Sequence, residues 1–336
     1  MKPITRNNTF IVLLLGLLIV FSFASLFLGR YYVEPEHVLK LLWSGLLGSP
    51  LDSVDKTVVL DIRLPRLFIV ILVGAGLSVS GAAFQGCFHN PLVSPDVLGV
   101  SAGAGFGAAL GILWTNGVTT GVTAAMAFAF GLLSVVVSLL LSRLKNESSI
   151  LALVLSGIIV SAVFNALISL VKFVADTDSQ LPAITFWLMG SFSNTTFEDL
   201  GKIIVPILVG IGVLIAVRWR INVLTLGDEE AKTLGINPGK TRMIIIAAAT
   251  IITASSVVVA GIVCWVGLII PNLCRMIVGS DHKYLMPASC LCGAVFLLTV
   301  DFIARVLTPS EIPIGILTAI IGAPFFALVY KKTEGC

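Results

Sequence analysis

Residues 218–242 read RWRINVLTLGDEEAKTLGINPGKTR, a polar island between apolar runs at 200–218 and 243–261. A chain in lipid keeps such a segment only in water, because hydrocarbon leaves polar groups unpaired at high cost. The island has helix grammar. Asp228 is placed to cap a helix start, with Glu229 and Glu230 in the first turn, where the helix dipole favours negative charge. Gly235 suits the stop, and Asn237-Pro238 offers a second cap followed by proline at the first helical position. Two short helices joined by a tight turn are predicted. The plain alternative is a solvated loop.

Outward from the island, the 336 residues are 57% hydrophobic and only 12% charged, against roughly 25% charged in a soluble domain. Apolar stretches of membrane-spanning length recur along the chain, as a bilayer core of about 30 Å demands of each helix. They predict about ten spans, at 10–29, 64–86, 97–114, 120–142, 150–173, 200–218, 243–261, 263–278, 285–305 and 312–330. The fold class is therefore all-α and polytopic, one transmembrane domain over residues 1–336 with short helices in its polar segment. The first run follows Lys2 and Arg6, but the sequence after it is a poor signal-peptide cleavage site, so it reads as an uncleaved span.

Ten spans put both termini on one side. With the termini inside, 13 Lys/Arg lie inside and 8 outside, which places the island in the cytoplasm. The net charge of +3 says little about nucleic acid, and no nucleic-acid partner is expected. The six cysteines (Cys87, Cys264, Cys274, Cys290, Cys292 and Cys336) read as small packing residues rather than a disulfide framework or metal site. No nucleophile–base pair and no metal-ligand set appears, so neither catalysis nor a bound cofactor is expected, and His89 and His282 read as loop residues.

Residues 85–96, QGCFHNPLVSPD, interrupt helix with two prolines, an Asn and an Asp. Such backbone is tolerated near lipid only when buried in protein or lining a cavity, which predicts a tight re-entrant turn with gating as one purpose. The glycines that follow, Gly99, Gly103, Gly105, Gly107 and Gly111, form a small-residue face for close helix contact. They are no phosphate loop, because no GK[ST] follows. Arg63 and Arg66 stand at the outer mouth of the second span. Snorkelling to headgroups and docking of an acidic partner both suit them. Asp301 and Arg305, four apart, read as a mainly structural pair near the outer end of the ninth span.

Taken together, RLPR at 63–66, SGAAFQG at 80–86, NPLVSPDVLGVSAGA at 90–104, LGDEEAKTLGIN at 226–237, VGLIIPNLCRMIVGSDHKYLMP at 266–287 and EIPIGILTAIIGAPFF at 311–326 resemble the FecCD/BtuC-type permeases. These are membrane subunits of type II ABC importers for iron chelates, haem, cobalamin and, in some members, molybdate. The resemblance implies a homodimer around a central path in the bacterial or archaeal cytoplasmic membrane. It also implies two cytoplasmic ATP-binding subunits and a periplasmic or lipid-anchored binding protein, with ATP held by the partner subunit. It implies that Leu226, Gly227, Asp228, Glu229, Glu230, Ala231, Leu234 and Gly235 couple to the ATPase, and that Arg63, Arg66 and Arg305 dock the binding protein. The cytoplasmic gate is expected at Asn90 and Leu92, with a second at Ser148 and Ser149. Two departures stand out: Asn272 where the family usually has His, and Cys264-Trp265 in place of its commoner glycine–phenylalanine pair.

The mechanism implied is ATP-driven alternating access along a path lined by residues such as Ser156, Gly157, Val160, Ser161 and Phe164. The rival is an ion-coupled secondary transporter. It generally needs ionisable groups near the bilayer midplane, whereas the intramembrane charges here cluster near span ends. An iron chelate is the default substrate by family frequency, with cobalamin and molybdate as alternatives.

Overall fold

The structure, a computed structural model, describes residues 3–29, 31–47, 54–117, 121–143, 150–308 and 310–333. Apolar runs form helices here because a helix satisfies its own backbone where water is absent. In chain order they are α1 (Pro3–Phe27), α2 (Pro35–Leu47), α3 (Val54–Lys56), α4 (Leu64–Cys87), α5 (Val100–Trp114), α6 (Gly121–Arg143), α7 (Ile150–Val174) and α8 (Gln180–Met189). Then come α9 (Phe197–Ala216), α10 (Arg218–Leu224), α11 (Asp228–Thr233), α12 (Pro238–Ala260), α13 (Val266–Val278), α14 (His282–Val306) and α15 (Ile314–Thr333). No strand occurs among the described residues. Among the described residues seven helices are long and apolar enough to cross a membrane, and α5, α13 and residues 314–327 of α15 are shorter apolar helices. The expected ten spans are thus all present as helices.

Their edges differ from the sequence reading in instructive places. The second span begins well before residue 64: α3 runs through a π-helical stretch, Thr57–Arg63, directly into α4. Two helices, α2 and α8, fall where no span is expected. The eighth span is shorter than expected. Its 13 helical residues rise about 20 Å, and residues 261–265 ahead of it are not helical. Gly261, at φ +65°, ends α12, and Trp265, at φ +73°, stands just before α13. The break is buried in protein, where Ser191 N donates to Ala260 O at 2.9 Å and Ile314 N to Gly190 O at 2.9 Å.

α4 is the central post, with most of its length buried, and it packs on α14, α12, α13 and α9. Small residues set these contacts. A Cβ at Gly81 would stand 1.7 Å from the Gly267 carbonyl oxygen, so α4 and α13 touch backbone to backbone. The glycine face of α5 behaves as expected: Cβ atoms at Gly103 and Gly107 would lie 2.4 and 2.2 Å from carbonyls of α6. Between α4 and α5 the chain turns back through residues 88–94 and a 3₁₀ turn, Pro95–Leu98, where the Asp96 carboxylate accepts a hydrogen bond from the Ser101 hydroxyl.

Candidate functional site

The polar island is helical as predicted, but only the helix ending at Gly235 is short: the one capped by Asn237 runs on as α12, and a further short helix, α10, precedes Gly227. α10 and α11 meet at Gly227, whose φ of +125° lets the chain reverse. α11 ends in a Schellman turn: Ile236 N donates to Ala231 O at 2.9 Å and Gly235 N, at φ +77°, to Lys232 O at 3.0 Å. Asn237 then caps α12, its Oδ1 accepting from Lys240 N at 3.0 Å. Asp228 does not act as the side-chain N-cap read from the sequence. Gly227 holds that position, and Asp228 sits in the first turn with both carboxylate oxygens on Arg242 of α12, one at 2.8 Å. The Arg242 guanidinium holds the Asp228 carboxyl below its usual range.

This anchoring divides α11 into two faces. Ala231 is wholly buried and Ile236 nearly so, while Glu229 and Glu230 point into solvent. Leu226 and Leu234 flank the helix at 62% and 56% exposure. Large apolar side chains held out beside acidic ones on a capped, anchored helix form a surface built for contact. α10 is moored in turn to the start of α14. Asn222 Nδ2 donates to Asp281 at 2.7 Å, and its Oδ1 accepts from His282 N at 2.9 Å.

The turn at 88–94 lies next to this segment. Asn90 Oδ1 accepts from Leu92 N at 2.9 Å, closing an Asx turn that presents Leu92 half-exposed. From the α13 side, Asn272 Nδ2 donates to the Pro91 carbonyl at 2.9 Å. Arg275 donates to Asn272 Oδ1 at 2.7 Å and to Gln85 Oε1 at 2.9 Å. Asn272, a departure noticed in the sequence, thus clamps the turn. From the other side the His89 ring, on a residue at φ +53°, donates through Nε2 to the Leu224 carbonyl at the end of α10. Ser148 and Ser149 lie outside the described residues.

The three arginines expected at the outer mouth are not surface groups; all three are buried. Arg63 Nη1 donates to Leu26 O at 2.6 Å and its other terminal nitrogen to Tyr31 O. Arg66 binds Asp301 through Nε at 2.9 Å and Glu311 through Nη1 and Nη2 at 3.0 and 2.8 Å. Arg305 Nε pairs with the second Asp301 oxygen at 3.1 Å, and its Nη2 donates to Ser25. Burial forces this clustering, because a guanidinium out of water needs a counter-charge. The (i, i+4) pair read from the sequence is real. Its enlargement by Arg66 and Glu311 left no signal in the sequence, since those residues lie 245 positions apart.

Four of the five path residues expected on α7 point the other way, and the fifth, Ser161, is half-buried. Ser156, Gly157, Val160 and Phe164 are buried inside the subunit, where a Cβ at Gly157 would meet the Val97 carbonyl oxygen at 2.0 Å. The exposed face of α7 carries Leu155, Ile159 and Val163, with Asn165 and Ser169 among them.

Residues 17–332 match the model of the FecCD transport family. The chain is 42% identical over 320 residues to the molybdate import permease MolB of Haemophilus influenzae, covering 95% of this chain and 94% of that one. It is 36% identical over 300 residues to the cobalamin import permease BtuC of Halobacterium salinarum, covering 89% and 80%. A solved ABC transporter in an inward-facing conformation superposes with a TM-score of 0.86 at 39% identity, over 97% of this chain and 99% of that one. With ten apolar helices among its described residues and its capped polar segment, the chain belongs to the FecCD transport family and is a multi-pass permease of the ABC importer class.

Proposed function

We propose that this permease works as a homodimer in the cytoplasmic membrane, termini inside, driven by two ATP-binding subunits docked on residues 226–235. The observation that carries this reading is the outer face of α11, where Leu226 and Leu234 stand exposed around Glu229 and Glu230 on a helix fixed from beneath. Closure of the ATP-binding subunits displaces this helix. The gates at Asn90/Leu92 and at Ser148/Ser149 respond, and nucleotide shifts the equilibrium because it contacts the two states differently. The exposed α7 face, apolar with Asn165 and Ser169, lines the path at the dimer axis.

On the outer side, Arg63, Arg66 and Arg305 serve an acidic binding protein through Glu311. Its side chain, 28% exposed, is the wettest member of the cluster. A partner carboxylate would compete with it for Arg66. The substrate is a metal chelate or metal oxyanion recognised by that binding protein. Molybdate is the first to test, given the 42% identity to a molybdate permease; iron chelates, haem and cobalamin follow.

The test is uptake into vesicles holding this subunit with its ATP-binding and binding-protein partners. Uptake is expected to require ATP hydrolysis, and Glu229→Lys, Glu230→Lys or Ala231→Pro should uncouple hydrolysis from transport while leaving insertion intact. Uptake that survives a hydrolysis-dead ATPase, or that stops with an uncoupler alone, would favour an ion-coupled carrier instead.

A further inference from the structure

His89 stands where the turn at 88–94 meets the polar segment, and the sequence offered it only a place in a loop. It is not glycine, yet its φ of +53° lies in a region that side chains occupy mainly where neighbours hold them. What holds it is the hydrogen bond from its ring Nε2 to the carbonyl of Leu224, the last residue of α10. The very next residue, Asn90, closes the turn that presents Leu92. At the far side of the same turn, Asn272 grips the Pro91 carbonyl at 2.9 Å from α13. The turn is therefore tied at one end to the segment proposed to meet the ATPase and at the other to a helix packed on the central post.

We infer that His89 is a positioning residue that carries displacement of α10 and α11 to the turn at Asn90 and Leu92, with Asn272 holding the opposite end. A hydrogen bond suits this task because it resists separation in a fixed direction, so a pull on α10 is passed to the turn. This inference rests on the reading of residues 226–235 as the ATPase contact.

The test uses the full permease assembled with its ATP-binding subunits in lipid, with a nitroxide attached through Leu92→Cys. Pulsed EPR reads the Leu92–Leu92 distance across the homodimer without nucleotide and with ATP plus vanadate. In the otherwise native protein the distance should shift with nucleotide. In His89→Ala, and in His89→Met, which keeps bulk but has no donor, ATP hydrolysis should persist. The ratio of shifted to unshifted populations should fall about fivefold in both, the factor expected when one net hydrogen bond of coupling is lost. His89→Gln, whose amide can reach the same carbonyl, should restore the shift. An unchanged shift in both His89→Ala and His89→Met overturns the inference while leaving the coupling reading in place. Failure of the ATP-binding subunits to bind or hydrolyse ATP on the otherwise native permease would overturn the coupling reading itself, and this inference with it.

Discussion

Arg66 of α4 grips Asp301 of α14 with two nitrogens, Nε at 2.9 Å and Nη2 at 2.8 Å, at a point where Asp301 is 1% exposed. The second Asp301 oxygen takes Arg305 at 3.1 Å, so one carboxylate bridges two buried guanidinium groups, with Glu311 supplying the second negative charge through Arg66. Asp301→Ala leaves Arg305 without its carboxylate and Arg66 with Glu311 alone, and a loss of about 3–5 kcal/mol is expected, the cost of breaking a buried pair from one side. Thermal unfolding in detergent measures it. Glu311→Gln should cost clearly less, because that carboxylate reaches partly into water.

The clamp from α13 makes a milder prediction. Asn272→Ala leaves the Pro91 carbonyl and one Arg275 donor without their partner. The expected loss is about 1–2 kcal/mol, concentrated in residues 90–93. Hydrogen exchange at the Leu92 and Val93 amides, both bonded within the turn, should quicken while exchange in α4 stays slow.

Two glycines test two different physical causes. At Gly81 a Cβ would overlap the Gly267 carbonyl oxygen at 1.7 Å, so Gly81→Ala must push α4 and α13 apart and should cost at least about 3 kcal/mol. At Gly235 nothing lies within 4 Å of the added carbon, and only φ of +77° opposes it. Gly235→Ala should therefore cost about 1 kcal/mol and show itself as faster proteolysis near residues 233–237 rather than as loss of the fold. Equal penalties for the two variants would contradict this assignment.

The Asp228–Arg242 pair sets a pH signature. Hydrogen bonds from Arg242 lower the carboxyl pKa in the folded chain. Protonation is then harder folded than unfolded, so the stabilisation is present above the unfolded pKa and vanishes as pH falls through the lowered folded value. Relative to Asp228→Asn, the parent protein should melt higher at neutral pH. The gap should close below about pH 4, where an ordinary Asp protonates. A gap that persists unchanged through the acid range well below about pH 4 would exclude the carboxylate as its source.

What could be read in the chain was what depends on neighbours in sequence. The Gly235 stop, the Asn237 cap and the Asp301–Arg305 pair are set by residues a few positions apart, and each is found. The glycine face of α5 was legible for the same reason, as small residues recur every four positions. What escaped depends on distant partners. Arg66 looked like an outer-mouth cation because Glu311 gave no sign of meeting it. The exposed side of α7 was misassigned because both its faces are apolar, and only the contact of Gly157 with Val97 settles which one packs. The break after Gly261 hid in an apolar run, where the Ala260 carbonyl freed by it is answered by Ser191 N.

α12 connects the Arg242 anchor to that break without interruption. Its 23 residues make a rod of about 35 Å, pinned near one end to α11 and ending at a non-helical joint. A rod of that length works as a lever: a tilt of roughly 5° would carry its far end about 3 Å. Small movements made in water on one side would thus be delivered, enlarged, to Gly261 and the loop at Gly190.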